Sequence, residues 1–360
     1  MKYIFVLIVF MHSIIHLLGF IKGFGIKEIK ELSMFISKYT GILWLLVSIL
    51  FIIYTILFLK DFKNSWIVGF FAVFLSQYLI LMVWKDAKFG TIANFIILII
   101  CIISFGYYHF EKMTEKEILQ IINNNKKLNK IIVEDDLNDL PKPIQNWLKN
   151  SGIIGKNFIN IAKIEQKALL KMKPDQKNWM EATATQYSTF EEPNFIWVVK
   201  VKMNEFLNAL GRDKFIDGKG EMFIKLNSLL TVVDEKGEKL DEGTIQRYLG
   251  EMVWMPSLAF SKNIQWEEID SNTVKATINY KGTSGSGIFY FNSNGDFIKF
   301  TALRYMGNEA NTKKYEWVIQ AEDYKTFEGI KVPSKLTVTW KLKQIDWNWL
   351  KMEITNIKYN

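Results

Sequence analysis

The hydrophobic positions of this chain change character near residue 110. Before that point they form nearly unbroken runs at residues 3–21, 40–59, 66–84 and 90–108, each close to the ~20 apolar residues that cross a bilayer core as a helix. Tyr39, Trp66, Trp84, Tyr107 and Tyr108 sit at the ends of these runs, where aromatic side chains mark a membrane interface. The first run is too long for a signal-peptide core, and no small-residue cleavage site precedes the second, so it is expected to stay as a helix. Thr114-Glu115-Lys116-Glu117 then reads as a capping box ahead of Ile118, Leu119, Ile121 and Ile122, a short amphipathic helix continuing outward. A polar stretch leads to Pro141 and Pro143, which open a helix burying Ile144, Trp147 and Leu148.

From about Phe158 the period is two. Trp197, Val199, Val201 and Met203 alternate with Lys200 and Lys202, and Leu336, Val338, Trp340 and Leu342 with Thr337, Thr339 and Lys341, the signature of half-buried strands. Asp217-Gly218 and Asn294-Gly295 suit tight hairpins, so an antiparallel meander is expected. One helix interrupts it near Asp241, with Ile245, Tyr248, Leu249 and Met252 on one face, and it ends before Pro256. The pattern thus predicts a four-helix transmembrane domain (1–110), an amphipathic helix and linker (111–140), and an α+β, mainly antiparallel β soluble domain (141–360) built as a curved sheet or half-barrel with one or two helices.

Charge changes this picture little. The net charge is +8, with 10 basic against 5 acidic residues up to Lys112 and 35 against 32 after it. Neither part has the basic excess of a nucleic-acid binder, and the lipid bilayer is the expected partner of the loop lysines. Seven lysines on one set of loops against six on the other choose no orientation. The expected location is a bacterial cytoplasmic membrane, crossed several times. The oligomeric state is not encoded in any pattern here.

Chemistry is constrained more sharply. The one cysteine, Cys101, lies inside an apolar run, and all three histidines, His12, His16 and His109, lie in or beside the runs. Beyond Phe110 there is neither histidine nor cysteine, which excludes Ser-His-Asp and Cys-His nucleophiles and His/Cys zinc sites from that domain. Walker, HExxH and EF-hand motifs are lacking too. No cofactor is implied, and binding is favoured over catalysis. His12 and His16, four apart, stack on one helix face about 6 Å apart along the axis. Such a pair could hold a metal, a haem or a quinone, relay protons, or bond to Ser48, Tyr54, Ser76 or Gln77 of neighbouring helices. Asp86, between Lys85 and Lys88, and Asn94, one turn into the last run, complete a candidate polar site at a headgroup or helix junction.

In the soluble domain Arg247 and Glu251 are spaced i, i+4, beside Trp254-Met255-Pro256. The pair suits acid–base work in a cleft or an ordinary helix-surface ion pair. Gly282-Thr283-Ser284-Gly285-Ser286-Gly287 looks like a phosphate loop only superficially, because no helix N-terminus follows, and a flexible hairpin tip is expected. Gly211-Arg212-Asp213, the segment Arg247 to Pro256, Arg304-Tyr305 and Gly329-Ile330-Lys331-Val332-Pro333 together resemble an uncharacterised bacterial family of membrane proteins with a domain of unknown function, over about residues 141–360. The β domain also looks like the half-barrel of lipoprotein carriers, and the helical part, with His16-Leu17-Leu18-Gly19-Phe20, is loosely similar to DoxX-like membrane proteins. The candidate ligand-binding set is Arg212, Asp213, Arg247, Glu251, Trp254, Arg304 and Tyr305. The function expected is a membrane-tethered binding module for a lipid or other amphiphile, with a redox or metal protein using His12 and His16, or a structural or interaction module, as alternatives.

Overall fold

The computed structural model describes residues 2–360. It divides into two compact units, one running to Lys112 and taking in Asn227–Leu229, the other comprising Met113–Leu226 and Leu230–Asn360.

The first unit holds α1 (Lys2–Gly23), α2 (Lys38–Leu59), α3 (Ser65–Met82), the short α4 (Trp84–Ala87) and the start of α5 (Gly90–Asn124). Of these, α1, α2, α3 and α5 are long and apolar enough to cross a membrane. Their shared core contains Trp44, Val47, Phe51, Tyr54, Leu79, Ile97 and Cys101, while Phe71, Phe74 and Phe95 stand outward, exposed. The expected capping box does not start a new helix. α5 runs through Thr114 without a break, because no glycine or proline lies between Tyr107 and Asn124 to interrupt its hydrogen bonds.

In the second unit α6 (Lys142–Ser151) opens on Pro141 and closes at Gly152 in the left-handed region, as a proline start and glycine stop require. Thirteen strands follow: β1 (Ile161–Leu170), β2 (Met180–Thr189), β3 (Asn194–Lys202), β4 (Asn208–Ile216), β5 (Lys219–Leu226), β6 (Leu230–Lys236), then after α7 (Glu238–Gly250) β7 (Ile264–Asp270), β8 (Thr273–Tyr280), β9 (Thr283–Phe291), β10 (Phe297–Tyr305), β11 (Lys314–Phe327), β12 (Ile330–Lys341) and β13 (Asp346–Tyr359). They form one antiparallel sheet in the order β6-β5-β4-β3-β2-β1-β13-β12-β11-β10-β9-β8-β7. Two meanders are joined through the β1–β13 pair, in which Ala162 faces Tyr359 and Leu170 faces Leu350. The sheet curls into a half-barrel. Its edge strands carry Asp234, Glu235 and Lys236 on β6 and Glu267, Glu268 and Asp270 on β7, charges that discourage pairing with another chain.

The chain leaves one edge at β6, crosses the concavity as α7 and returns to the other edge at β7. α7 therefore packs against β4, β5 and β6 on one side and β8, β9 and β10 on the other. Its first turn is tied down by Asp241, whose carboxylate accepts from the Gly220 amide at 2.7 Å and from Lys219 Nζ at 2.9 Å. Tyr248, fully buried, donates to the Thr189 carbonyl at 2.6 Å, and burial holds its hydroxyl well above the usual tyrosine range.

Of the glycine-rich stretch only Gly282 belongs to a hairpin tip. The tip is Lys281-Gly282, both with positive φ, and Thr283 to Gly287 lie in β9, with Thr283 and Gly285 paired to Tyr280 and Ile278. A Cβ on Gly285 would stand 2.8 Å from Ile245 and Gln246 of α7. These glycines are bare backbone against which the helix closes.

Candidate functional site

The part of the concavity that α7 leaves open is a cavity of about 370 Å³. One wall is indole: Trp197 from β3, Trp254 from the turn after α7, Trp317 from β11, Trp340 from β12, and Trp347 and Trp349 from β13. Register explains the convergence. Trp317 faces Trp340 across β11–β12, and Trp340 faces Trp347 across β12–β13, so period-two alternation places them on the same side. Ile319, Leu336, Val338, Leu350 and Met352 complete the apolar lining.

The other wall is ionic. Arg247, buried on α7, donates from Nε to Glu251 Oε1 at 2.8 Å, from Nη1 to Asp213 Oδ2 at 3.1 Å and from Nη2 to Gln186 Oε1 at 3.2 Å. Its guanidinium lies 4.7 Å from the Trp197 ring centre and 5.0 Å from that of Phe195. Glu251 Oε2 accepts from Gln186 Nε2 at 2.8 Å, so both of its oxygens are engaged. Burial pushes the Asp213 carboxyl up, against the pull of Arg247, Arg304 and Arg212. Arg304 reaches in from β10 and stacks on Trp317 at 4.5 Å. Burial and the nearby Arg247 lower its guanidinium to about 10.

Of the seven expected ligand-binding residues, Asp213, Arg247, Glu251, Trp254, Arg304 and Tyr305 line this cavity. Arg212 does not. It is adjacent to Asp213 in β4 and so faces the opposite side of the sheet, where its guanidinium pairs with Glu117 at 3.2 Å and Glu221 at 3.1 Å. Lys214 and Lys236 join the same cluster. Burial pushes Glu221 up, but hydrogen bonds from Lys214, Lys236 and Arg212 outweigh it and hold the carboxyl at about 2. Gln186 was missed by sequence reasoning. Its signal was a polar residue at an inward β2 position in line with Ala182 and Ala184. A wider depression of about 820 Å³ shares Leu336 and Met352 with the cavity and is rimmed by Lys167, Lys200, Lys202, Lys335 and Lys351.

In the helical unit His12, His16 and Asn94 meet at Ser76. His16 Nδ1 stands 2.9 Å from the His12 carbonyl, which can only accept, so the ring donates there and its Nε2 meets the Ser76 hydroxyl at 2.9 Å. His12 Nε2 lies 3.0 Å from Asn94 Oδ1, Asn94 Nδ2 donates to Gln77 at 3.1 Å, and Gln77 Nε2 to Thr91 at 3.1 Å. The chain of bonds links α1, α3 and α5. Asp86 is elsewhere, accepting from the Ser33 hydroxyl and the Met34 amide at 2.8 Å each. Among the described residues no group of three or more His, Cys, Asp or Glu is placed to hold a metal ion.

Comparison with solved structures finds a beta-barrel-like protein of a domain of unknown function, DUF1849, from Brucella abortus, 10% identical over 56% of this chain and 99% of that one, with a TM-score of 0.20. That score is too low to argue from. No curated protein matches, and nothing found supports a likeness of the helices to DoxX-like proteins. A family model matches residues 130–352, a span that contains every residue of the indole wall and of the ionic wall. The chain belongs to the family of unknown function DUF6544.

Proposed function

We propose that this chain is a membrane-tethered binding protein whose half-barrel takes a single-chain amphiphile. The observation that carries the reading is the cavity of about 370 Å³ with six indoles on one wall. Its volume falls at the lower end of the ~300–1,000 Å³ of small-molecule sites, which suits one acyl chain better than a two-chain phospholipid. A core that needed only to be filled would close on itself at organic-crystal density. The tether rests on α1, α2, α3 and α5, whose large apolar side chains, including Phe71 at 68% and Phe74 at 65% exposure, face outward, as lipid-facing residues do.

The test is titration of the full chain, held in amphipol, with ten-carbon amphiphiles below their micelle concentrations. Saturable change in tryptophan fluorescence is expected, with a rise in melting temperature equivalent to about 2.7 kcal/mol at a hundredfold excess over Kd. Val338→Trp, which fills the cavity from β12, should abolish both. A folded protein that shows neither change across alcohols, acids and ammonium salts would sink the reading.

A further inference from the structure

Several residues around the cavity carry hydrogen-bond donors that have no acceptor. Two of its indoles are satisfied, Trp197 Nε1 by Gln166 Oε1 at 2.8 Å and Trp254 Nε1 by the Pro333 carbonyl at 3.0 Å. Trp317, Trp347 and Trp349 are not: among the described residues none of their Nε1 groups finds a partner. Arg304 presents the larger imbalance. Its guanidinium makes no hydrogen bond and no ion pair among the described residues, and it lies over the face of Trp317.

The fold holds Arg304 in this state. Gly243 of α7 lies against the guanidinium so closely that a Cβ there would stand 2.9 Å from Nε and 3.4 Å from Nη2. The cation is thus pressed between bare helix backbone and an indole, with no carboxylate drawn up to it. Asp213 and Glu251 are near enough to be felt, yet both turn their hydrogen bonds to Arg247, whose own Nε, Nη1 and Nη2 are all used. Arg304 is half-buried, so a ligand in the cavity can reach its guanidinium, and a bidentate carboxylate or phosphate is the geometry that planar fork matches.

We infer that the amphiphile is acidic: a carboxylate or phosphate head seated on Arg304, with its acyl chain along the Trp340, Trp347 and Trp349 wall. The inference rests on the proposed amphiphile site and adds the chemical class of its ligand. An anion supplies the acceptor oxygens that Arg304 lacks, because Asp213 and Glu251, the carboxylates nearest to it, are bonded to Arg247. A cationic head would meet Arg304 and Arg247, and a neutral alcohol would leave the guanidinium without its fork partner.

The experiment compares decanoate, decanol and decyltrimethylammonium, by fluorescence titration at pH 8 of the full chain in amphipol, for the wild type, Arg304→Gln and Arg304→Lys. Decanoate should bind the wild type at least tenfold more tightly than decanol. Arg304→Gln should erase that preference, so that decanoate and decanol bind the variant equally. Should that variant fail to fold, Arg304→Lys carries the test, since loss of the planar fork should shrink the preference for decanoate over decanol several-fold. Equal binding of acid and alcohol, or tightest binding of the ammonium, overturns the acidic head and leaves the amphiphile site standing. A preference for decanoate that survives Arg304→Gln also overturns it, and moves the head to the lysine rim of the neighbouring depression. Binding of none of the three overturns both readings together.

Discussion

Replacing Arg247 by methionine removes the hub of the ionic wall while keeping a flexible apolar side chain of similar length. Glu251 and Asp213 lose donors at 2.8 and 3.1 Å, and Gln186 one at 3.2 Å. Removing one partner of a buried ion pair costs about 3–5 kcal/mol because the other charge is left uncompensated. Here the lower end applies. Glu251 keeps the Gln186 amide, and Asp213, already pushed up by burial, can take a proton instead of remaining charged. A loss of about 3 kcal/mol at pH 7 corresponds to a melting temperature roughly 6–12 °C lower for a domain of this size. Tryptophan fluorescence reads the right unit, since nine of the twelve tryptophans lie after Lys112. Two internal checks accompany the melt. The deficit should narrow at pH 5, where the stranded carboxylates protonate more readily, and the triple variant Arg247→Met, Asp213→Asn, Glu251→Gln should regain at least half of it. A drop under 3 °C, or a triple variant no better than the single, would refute the buried-charge reasoning.

Glu221→Gln should cost up to roughly 3 kcal/mol at pH 7, the equivalent of a carboxyl held at about 2 instead of 4.5. Because the folded-state value is the lower one, this stabilisation is complete above about 4.5 and is lost as pH falls toward 2, so melting curves of variant and wild type should converge across that window. Gly287→Ala would drive a Cβ into the Phe300 ring and place it 2.8 Å from the Thr301 carbonyl; overpacking of about 1–3 kcal/mol should lower the melting temperature by several degrees, and an unchanged melt would mean the β9–β10 packing is looser than described. Cysteines introduced at Lys30 and Lys85 should label from one side of sealed vesicles, and those at Lys63 and Lys130 from the other; labelling of all four from one side would contradict four crossings.

The helices were legible because a membrane-crossing length leaves a long, unambiguous run, and the strands because alternation at Trp197, Val199 and Val201 has no helical reading. The order of the sheet was not. The pair that joins its halves brings Ala162 to Tyr359, and no local pattern encodes contacts so distant along the chain. Site residues divide in the same way. Arg247 and Glu251 announced themselves by helical spacing, whereas Arg304 and Trp317 met only through the β10–β11 register. Arg212 does not join Asp213 in the cavity, since neighbours in a strand face opposite sides. The glycines of β9 misled for a different reason: glycine permits both a flexible tip and a close-packed backbone, and only the helix lying on it distinguishes the two.

Native mass spectrometry of the chain purified in detergent from the cells that express it, wild type beside Val338→Trp, tests the central claim most directly. The account predicts one single-chain amphiphile per wild-type chain and none in the variant with its cavity filled. A wild-type chain that carries no such adduct, or an adduct that persists unchanged in Val338→Trp, would contradict a ligand site between the indole and ionic walls.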